Sequence, residues 1–305
     1  MRSLTREWDL MELPTGEVLT TVGTYNGSVA RGRLTYVPDI GGAVEIFGRR
    51  YRKTSCEVWG VLPRTRQVLA LPGESHYEVR AGDIARHYPA SPPAVARSEV
   101  RELAAALSSV GIPVGVGGSR ALDAARPGSD HDLVVYGMEN VELAAKTITS
   151  LAGYEPCLHF GLDFVRAKYC HFTRLTPHDL ELLVCDRWRH FRYRGLAISV
   201  DGCDESRLAD PWVTAAPRAF DTAHVRGVVL DASQCYVSPK IIDVRTGTEV
   251  VRVFTWLNLY AGALRTGDEV AVHGRWIVMH DQQFLRVQDS ADAIRVVSRT
   301  STDPV

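Results

Sequence analysis

The feature that most constrains how this chain folds is a segment of alternating apolar and turn-forming residues between positions 112 and 136. A short apolar run leads into Gly117-Gly118-Ser119, which predicts a strand followed by a tight turn. A brief helical segment follows and is broken by Pro127-Gly128-Ser129. The next apolar run, Leu133 to Tyr136, predicts a buried strand. The segment therefore predicts a compact α/β core.

Two aspartates stand at the start of the second predicted strand. Side chains alternate along a strand, so Asp130 and Asp132 share one face, with Cα atoms roughly 6.5–7 Å apart. Two carboxylates at that separation suit one or two Mg²⁺ ions, or Mn²⁺ in their place. Gly117 and Gly118 allow a phosphate to approach the backbone, where amides at the start of a helix point at it. Together these residues predict a metal-dependent nucleotidyl-transfer site.

Each half of this pattern has a structural alternative. Asp-x-Asp alone is common at exposed strand ends, and Gly-Gly-Ser alone is an ordinary loop. The order of the two motifs, the eleven-residue gap from Ser119 to Asp130 and the strand–helix–strand context favour use of the segment in catalysis or nucleotide binding. A degenerate or merely structural version of the motif stays open.

The pattern resembles the polymerase-beta-like minimal nucleotidyltransferase superfamily, whose signature is a Gly-Ser turn followed by Asp-x-Asp on the next strand. The resemblance implies that Asp130 and Asp132 are catalytic metal ligands. His131 stands between them, where that superfamily usually has an apolar residue. The resemblance also implies a nucleotide-binding turn formed by Gly117, Gly118, Ser119 and Arg120.

The specific part of this resemblance covers about 45 residues, from Val110 to Leu151. The whole layout is similar, more loosely, to uncharacterised archaeal nucleotidyltransferases with β-rich flanks on both sides of the core. The similarity implies a reaction class, nucleotidyl transfer, but it implies no particular nucleotide or acceptor.

A third carboxylate on a neighbouring strand is implied by the same resemblance, to complete the metal site or to act as a base. Asp201 is the candidate, at the end of the predicted strand Leu196 to Val200. Position 199, where the superfamily pattern would place the acid, is Ser199. A site with only two carboxylates is the alternative.

Composition excludes several classes of protein. With 305 residues and a net charge of −1, the chain offers no global electrostatic argument for binding nucleic acid or membrane. No apolar run of about 18 residues predicts a transmembrane helix, and the first residues lack the apolar core of a signal peptide. The six cysteines lack metal-site spacing, which favours reduced thiols and a cytoplasmic protein.

Linker signals divide the chain into three predicted domains. Residues 1–93 are expected to form a β-rich module ending in a proline-rich linker, and residues 94–215 the nucleotidyltransferase core with a mixed sheet. Strand-like runs at regular spacing over 218–305 predict an OB-like β-barrel. The predicted fold class is therefore α+β, with an α/β core between two β-rich flanks.

Four elements of the core are predicted in detail. Apolar spacing predicts a helix over about 96–110, and Asn140 is expected to cap another over 141–151. Residues 163–172 are expected to be partly helical. Thr176 followed by Pro177 predicts a third, well-capped helix start.

Two basic stretches each have two interpretations. Arg49, Arg50, Arg52 and Lys53 surround Tyr51, either as a solvated strand end or as a contact for phosphates. The second stretch suits a triphosphate or a single strand, or is a hairpin with buried aromatics and solvated arginines. Its residues are Arg187, Trp188, Arg189, Phe191, Arg192, Tyr193 and Arg194.

The function predicted from these residues is Mg²⁺-dependent nucleotidyl transfer. A nucleoside monophosphate would pass from a nucleoside triphosphate to an acceptor hydroxyl, on RNA or another nucleic acid, with release of pyrophosphate. The alternative is a non-catalytic nucleic-acid-binding protein built on a degenerate nucleotidyltransferase scaffold.

Overall fold

The computed structural model describes residues 4–54, 65–71, 74–90, 97–122, 130–156, 172–185, 188–209, 218–279 and 281–299. The chain divides into two compact units. The first is Met1–Ala70, Glu74–Cys157 and Trp188–Asp210, and the second is Leu71–Gly73, Leu158–Arg187 and Pro211–Val305. Residues of the predicted N-terminal module and of the predicted core thus lie in one unit.

An eight-stranded sheet forms the N-terminal part of the first unit, as the prediction of a β-rich module requires. The strand order is β4-β5-β3-β2-β1-β8, with β7 paired to β3 and β6 to β7. The strands β1 to β8 are Leu10–Glu12, Val18–Thr21, Val29–Pro38, Val44–Ile46, Arg49–Lys53, Thr65–Leu71, Glu74–Arg80 and Arg86–Tyr88.

A second sheet in the first unit carries the motif residues. Its order is β11-β12-β13-β10-β9, and the β10–β13 pair is parallel whereas the others are antiparallel. The strands β9 to β13 are Val114–Val116, His131–Tyr136, Tyr154–Pro156, His190–Tyr193 and Leu196–Cys203. Three helices accompany them: α1 is Ser98–Ser109, α2 is Gly118–Ala121 and α3 is Met138–Thr149.

The helix predicted over 96–110 is confirmed as α1. Val100, Leu103 and Leu107 are buried at three- and four-residue spacing, which is the apolar stripe that the sequence shows. The helix α3 also matches its prediction in place, and it buries Val141 and Ile148 in the same way. Burial of these apolar faces accounts for both helices.

The prediction that Asn140 caps α3 is wrong. The helix begins at Met138, after Gly137 with φ of 87°. Asn140 therefore lies inside the first turn, and its side-chain amide donates to the carbonyl of Tyr136 at 2.7 Å. The left-handed conformation that Gly137 supplies lets the chain turn directly from β10 into the helix.

A closed five-stranded barrel dominates the second unit and confirms the predicted C-terminal barrel. The pairing runs β14-β15-β16-β18-β17 and closes between β17 and β14, with β16 and β18 parallel and β19 added beside β17. The strands β14 to β19 are Arg218–Asp231, Lys240–Thr246, Glu249–Thr255, Glu269–Met279, Gln282–Arg286 and Ala293–Ser298. Phe254, Trp256 and Tyr260 are buried, so these aromatics belong to the barrel core.

The second unit also contains the helix α4, Pro177–Cys185. Its predicted start is confirmed, because the hydroxyl of Thr176 accepts from the amide of Asp179 at 3.1 Å. The Asp179 carboxylate in turn accepts from the amide of Thr176 at 2.8 Å. This reciprocal pair satisfies two amides at the helix start and gives Asp179 a structural role.

The predicted helical stretch 163–172 falls almost entirely outside the described residues. Within the ranges given above, no helix is both long and apolar enough to cross a membrane. Strands greatly outnumber helices in the described part of the chain. The β-rich character expected of both flanks is thereby confirmed.

Candidate functional site

One cavity of about 280 Å³ in the first unit gathers nearly all of the predicted site residues. It lies where the turn before α2 meets β10 and β13. The predicted residues that line it are Gly117, Gly118, Ser119, Asp130, Asp132 and Asp201. Residues separated by more than 80 positions in the sequence thus converge on one concave surface, which is the usual form of a binding site.

Arg120 and His131 take different positions. The backbone of Arg120 belongs to α2, and its side chain falls outside the described part of the structure. His131 is buried, because alternation along β10 turns it to the face opposite Asp132. The polar residue between the two aspartates is therefore accommodated inside the protein.

Gly118 and Asp132 fit each other closely. Gly118 has φ of +61°, in the left-handed region that favours glycine. A Cβ atom at this position would overlap Oδ2 of Asp132 and would lie 2.8 Å from its Cγ. The amide of Gly117 also donates to the carbonyl of Asp132 at 2.8 Å. The glycine turn therefore holds the strand that carries the carboxylate and leaves room for the carboxylate itself.

Under the hypothesis of nucleotidyl transfer that the sequence raises, replacing Gly118 with Ala is expected to lower nucleotide turnover about 100-fold, because the new methyl group displaces the Asp132 carboxylate. Gly111→Ala is the matched control: Gly111 has φ of +84°, but a methyl group added there would meet no atom within 4 Å. Gly111→Ala should lose roughly 1 kcal/mol of stability from backbone strain. Gly118→Ala should lose more, because the displaced carboxylate also loses its hydrogen bond from Ser199. Steady-state rates and urea unfolding measure the two effects, and equal turnover in both variants contradicts the close fit.

Ser199 occupies the place where the superfamily pattern would put a third carboxylate. It is the register partner of Asp132 in the parallel β10–β13 pair, and its hydroxyl donates to Oδ1 of Asp132 at 2.6 Å. Ser199 is buried, so this hydrogen bond fixes the direction of the carboxylate. The sequence alone assigns the serine no role, because only the strand pairing brings it to Asp132.

Under the hypothesis of a metal site at Asp130 and Asp132, the variant Ser199→Ala is expected to weaken Mg²⁺ binding about tenfold while the protein stays folded. In that hypothesis the hydroxyl would orient the carboxylate of Asp132, and loss of such a supporting hydrogen bond typically costs roughly 10–100-fold. Ser199→Thr keeps a hydroxyl and should recover much of the affinity. Titration of Mn²⁺ followed by electron paramagnetic resonance measures both, and equal affinity in Ser199→Ala and the wild-type protein refutes the orienting role.

Asp201 lies within a strand, and its predicted position at a strand end is wrong. The strand β13 continues to Cys203 because its parallel pairing with β10 extends through Tyr136. Asp201 is the register partner of Val134 and lines the cavity. It is only 6% exposed, and its carboxylate forms an ion pair with the guanidinium of Arg189, which is 2% exposed. The third carboxylate of the cavity is therefore charge-compensated by the protein itself.

The donor set of the cavity fits a hard divalent cation in chemical type. Asp130 and Asp132 are both half-buried and both line the cavity, and carboxylate oxygens are the ligands that Mg²⁺ prefers. Among the described residues, no group of three or more His, Cys, Asp or Glu side chains is arranged to hold a metal ion. A divalent cation held by these two aspartates would need further oxygens from water and phosphate.

Two ionisable groups at the end of the β10–β13 pair, Tyr136 and Cys203, stay neutral near neutral pH. Burial raises the pKa of Tyr136 to about 12, and burial likewise raises the pKa of the Cys203 thiol to about 12. A thiol with such a high pKa is not a nucleophile near neutral pH. Cys203 is therefore a core residue.

The N-terminal sheet also contributes to the lining of the cavity, which the sequence does not predict. Arg33 and Thr35 from β3, Thr20 from β2 and Lys53 from β5 line it. The hydroxyls of Thr20 and Thr35 lie 2.6 Å apart. In sequence, the only signal among them is the basic cluster that contains Lys53.

Trp8 also lines the cavity, in an unusual backbone conformation. Its φ is 74°, which is rare for a bulky residue and carries strain of about 1–3 kcal/mol. The indole N–H donates to the carbonyl of Gly202 at 3.1 Å, one residue beyond Asp201. This hydrogen bond fixes the ring between the N-terminal sheet and β13.

The basic–aromatic run forms a hairpin. Phe191 and Tyr193 on β12 are buried, and Arg189 is held by Asp201. Arg192 and Arg194 are exposed, whereas Arg187 lies outside the described residues. Because Phe191 and Tyr193 are buried, they are not available for stacking on bases. For these two residues the structure agrees with the interpretation of the run as a hairpin with buried aromatics.

Comparison of the chain with protein-family models, with curated proteins and with solved structures gives no match in any of the three cases. What the site can do must therefore be argued from its own residues.

Proposed function

We propose that this protein is a nucleotidyltransferase of the polymerase-beta-like type, which moves a nucleoside monophosphate from a nucleoside triphosphate to an acceptor hydroxyl. The sheet that carries β9, β10 and β13, with its helices, would be the nucleotidyltransferase core. The observation that carries the proposal is the convergence of the Gly118-Ser119 turn and the Asp130/Asp132 pair in one cavity.

The fit between Gly118 and Asp132 supports this proposal beyond the motif itself. A loop glycine without a function has no need to match a carboxylate 14 residues further along the chain. Here the missing side chain of Gly118 leaves the space that Oδ2 of Asp132 occupies, while Ser199 holds Oδ1. A carboxylate fixed on both sides is preorganised for a charged ligand.

In the proposed reaction, Asp130 and Asp132 would hold Mg²⁺, which when bound neutralises charge on the phosphoryl oxygens. The backbone at Gly118 and Ser119 would lie against the distal phosphates. An acceptor oxygen would form a bond to the α-phosphorus while the bond to the bridging oxygen of pyrophosphate breaks, and the hydroxyl proton would pass to solvent. The chain would act by binding and orienting the reactants.

Pyrophosphate release tests the proposal directly. The purified protein is incubated with Mg²⁺ and each of the four ribonucleoside triphosphates, with and without single-stranded RNA. We expect Mg²⁺-dependent pyrophosphate release with at least one nucleotide, and mass spectrometry of the RNA shows whether it is the acceptor. Release from none of them by a protein that also binds no Mg²⁺–nucleotide would overturn the proposal.

A further inference from the structure

We propose that the N-terminal sheet is part of the nucleotide site and supplies its polyphosphate-binding wall, through Arg33 and Lys53. This inference rests on the proposed function for the identity of the ligand. It assigns to a module with no catalytic motif the task of holding the triphosphate opposite the carboxylates.

Charge is distributed unevenly around the cavity. Asp130 and Asp132 line the cavity together with Arg33 and Lys53, which come from the N-terminal sheet. Asp201 is paired with Arg189. A divalent cation on the two aspartates would offset their negative charge, so the lining would then offer both a metal and two cationic side chains. A ligand that contacts both must be a polyanion that also binds metal, as a nucleoside triphosphate does.

The two cations are placed on neighbouring strands of the sheet. Lys53 on β5 is the register partner of Tyr36 on β3. A register shift in the β2–β3 pair places Tyr36 opposite Val18 and Arg33 opposite Thr20, two positions apart on β2, so Tyr36 and Arg33 share a face of the sheet. Lys53 shares that face with Arg33, and the two backbones lie roughly 8 Å apart, about two residues along the strand and one step across it. Long arginine and lysine side chains can converge across that gap on a chain of phosphates.

The N-terminal sheet and the motif turn are packed together within the first unit. Leu122, just after α2, belongs to the same buried cluster as Leu10, Val18 and Tyr36, and Ala121 packs against it. The turn that would face the distal phosphates is thus anchored on the sheet that carries Arg33. A movement of the sheet away from the turn would expose this apolar cluster, so the two sides of the cavity hold a fixed spacing.

Binding of inorganic tripolyphosphate, measured by calorimetry in the presence of EDTA, tests this wall without a metal and without turnover. We expect Arg33→Gln to bind tripolyphosphate about tenfold more weakly than the wild-type protein, and Lys53→Gln about fivefold more weakly, because each loses a charge-assisted contact. Arg50→Gln is the matched control, because Arg50 is exposed on the same strand as Lys53 but does not line the cavity. The affinity of Arg50→Gln for tripolyphosphate should stay within about twofold of the wild-type value.

Asp130→Asn gives an effect of opposite sign. Without metal the carboxylates repel a polyphosphate, so removing one charge should strengthen tripolyphosphate binding while it abolishes Mg²⁺-dependent turnover. The two measurements distinguish the two proposals. If the wild-type protein released no pyrophosphate, that result would count against the proposed function alone. If the wild-type protein bound no tripolyphosphate without metal, the polyphosphate-binding wall would be overturned.

The proposed polyphosphate-binding wall would also be overturned if the wild-type protein, Arg33→Gln and Lys53→Gln all bound tripolyphosphate with equal affinity. Lys53 is exposed, so Lys53→Gln keeps the test valid if the half-buried Arg33 proves necessary for folding. If the two variants instead leave tripolyphosphate binding unchanged and weaken only the binding of single-stranded RNA, the cations serve the acceptor and the assignment to the triphosphate is wrong.

Discussion

Asp130→Asn and Asp132→Asn are each expected to reduce Mg²⁺-dependent pyrophosphate release about 1000-fold, equivalent to about 4 kcal/mol of transition-state stabilisation. Asparagine keeps the volume of aspartate and removes the charge that a divalent cation needs. Both residues line the cavity at half-buried positions, so the change should leave the fold intact. Initial rates at saturating Mg²⁺ and nucleotide measure the effect, with thermal unfolding as the check on folding.

The control for these variants is Asp221→Asn, the same substitution at an exposed position of β14 in the second unit. Its turnover should equal that of the wild-type protein. A folded Asp130→Asn or Asp132→Asn variant that keeps more than about a tenth of the wild-type rate would contradict the assignment of that aspartate as a metal ligand.

Arg189→Met is expected to destabilise the first unit by about 3–5 kcal/mol. It removes the guanidinium from a buried ion pair and leaves the carboxylate of the buried Asp201 without its charged partner. The same side chain donates from Nε to the carbonyl of Val200 at 2.8 Å, and that hydrogen bond is lost too. Urea unfolding followed by circular dichroism measures the loss as a shift in the transition midpoint.

The double variant Arg189→Met/Asp201→Leu separates the loss of a charge partner from the loss of packing. It removes both charges, and replacing a buried ion pair by apolar residues is often neutral or stabilising. Most of the stability should therefore return. A destabilisation below about 1 kcal/mol in Arg189→Met, or a double variant as unstable as the single one, would contradict the account of this pair.

The double variant also reports on the predicted catalytic role of Asp201. If the carboxylate only balances Arg189, a refolded double variant keeps pyrophosphate release near the wild-type rate. If Asp201 acts as the third carboxylate, turnover falls by at least about 100-fold although stability has recovered. Measuring stability and rate on the same preparation distinguishes the two roles.

Local patterns predict the parts of this protein that depend on neighbouring residues. The helix α1 and the Thr176 cap follow from contacts within a few positions. Asp130 and Asp132 both line the cavity, as predicted, although β10 begins only at His131 and Asp130 precedes it. The side-chain chemistry of Asn140 suits a cap, yet the backbone freedom of Gly137 already starts the helix three residues before the predicted first residue, Val141. Local chemistry therefore predicts the helix but not its first residue.

The parts that the sequence does not reveal depend on strand pairing over long separations. Asp201 resembles a strand end because Asp-Gly favours turns, yet the parallel partner β10 carries the strand on to Cys203. Ser199 acquires a role only when pairing brings it to Asp132. Arg33 and Trp8 lie about 100 residues or more before the motif strand, so no local spacing connects them with the cavity.

The most direct measurement of the central claim is anomalous diffraction from crystals soaked with Mn²⁺ and a nucleoside triphosphate. Mn²⁺ accepts the same oxygen ligands as Mg²⁺ and is visible by its anomalous signal. The account predicts a peak bound by the carboxylates of Asp130 and Asp132, with the triphosphate extending toward Gly118 and Arg33. Full occupancy of metal and nucleotide elsewhere on the protein, with this cavity empty, would contradict it.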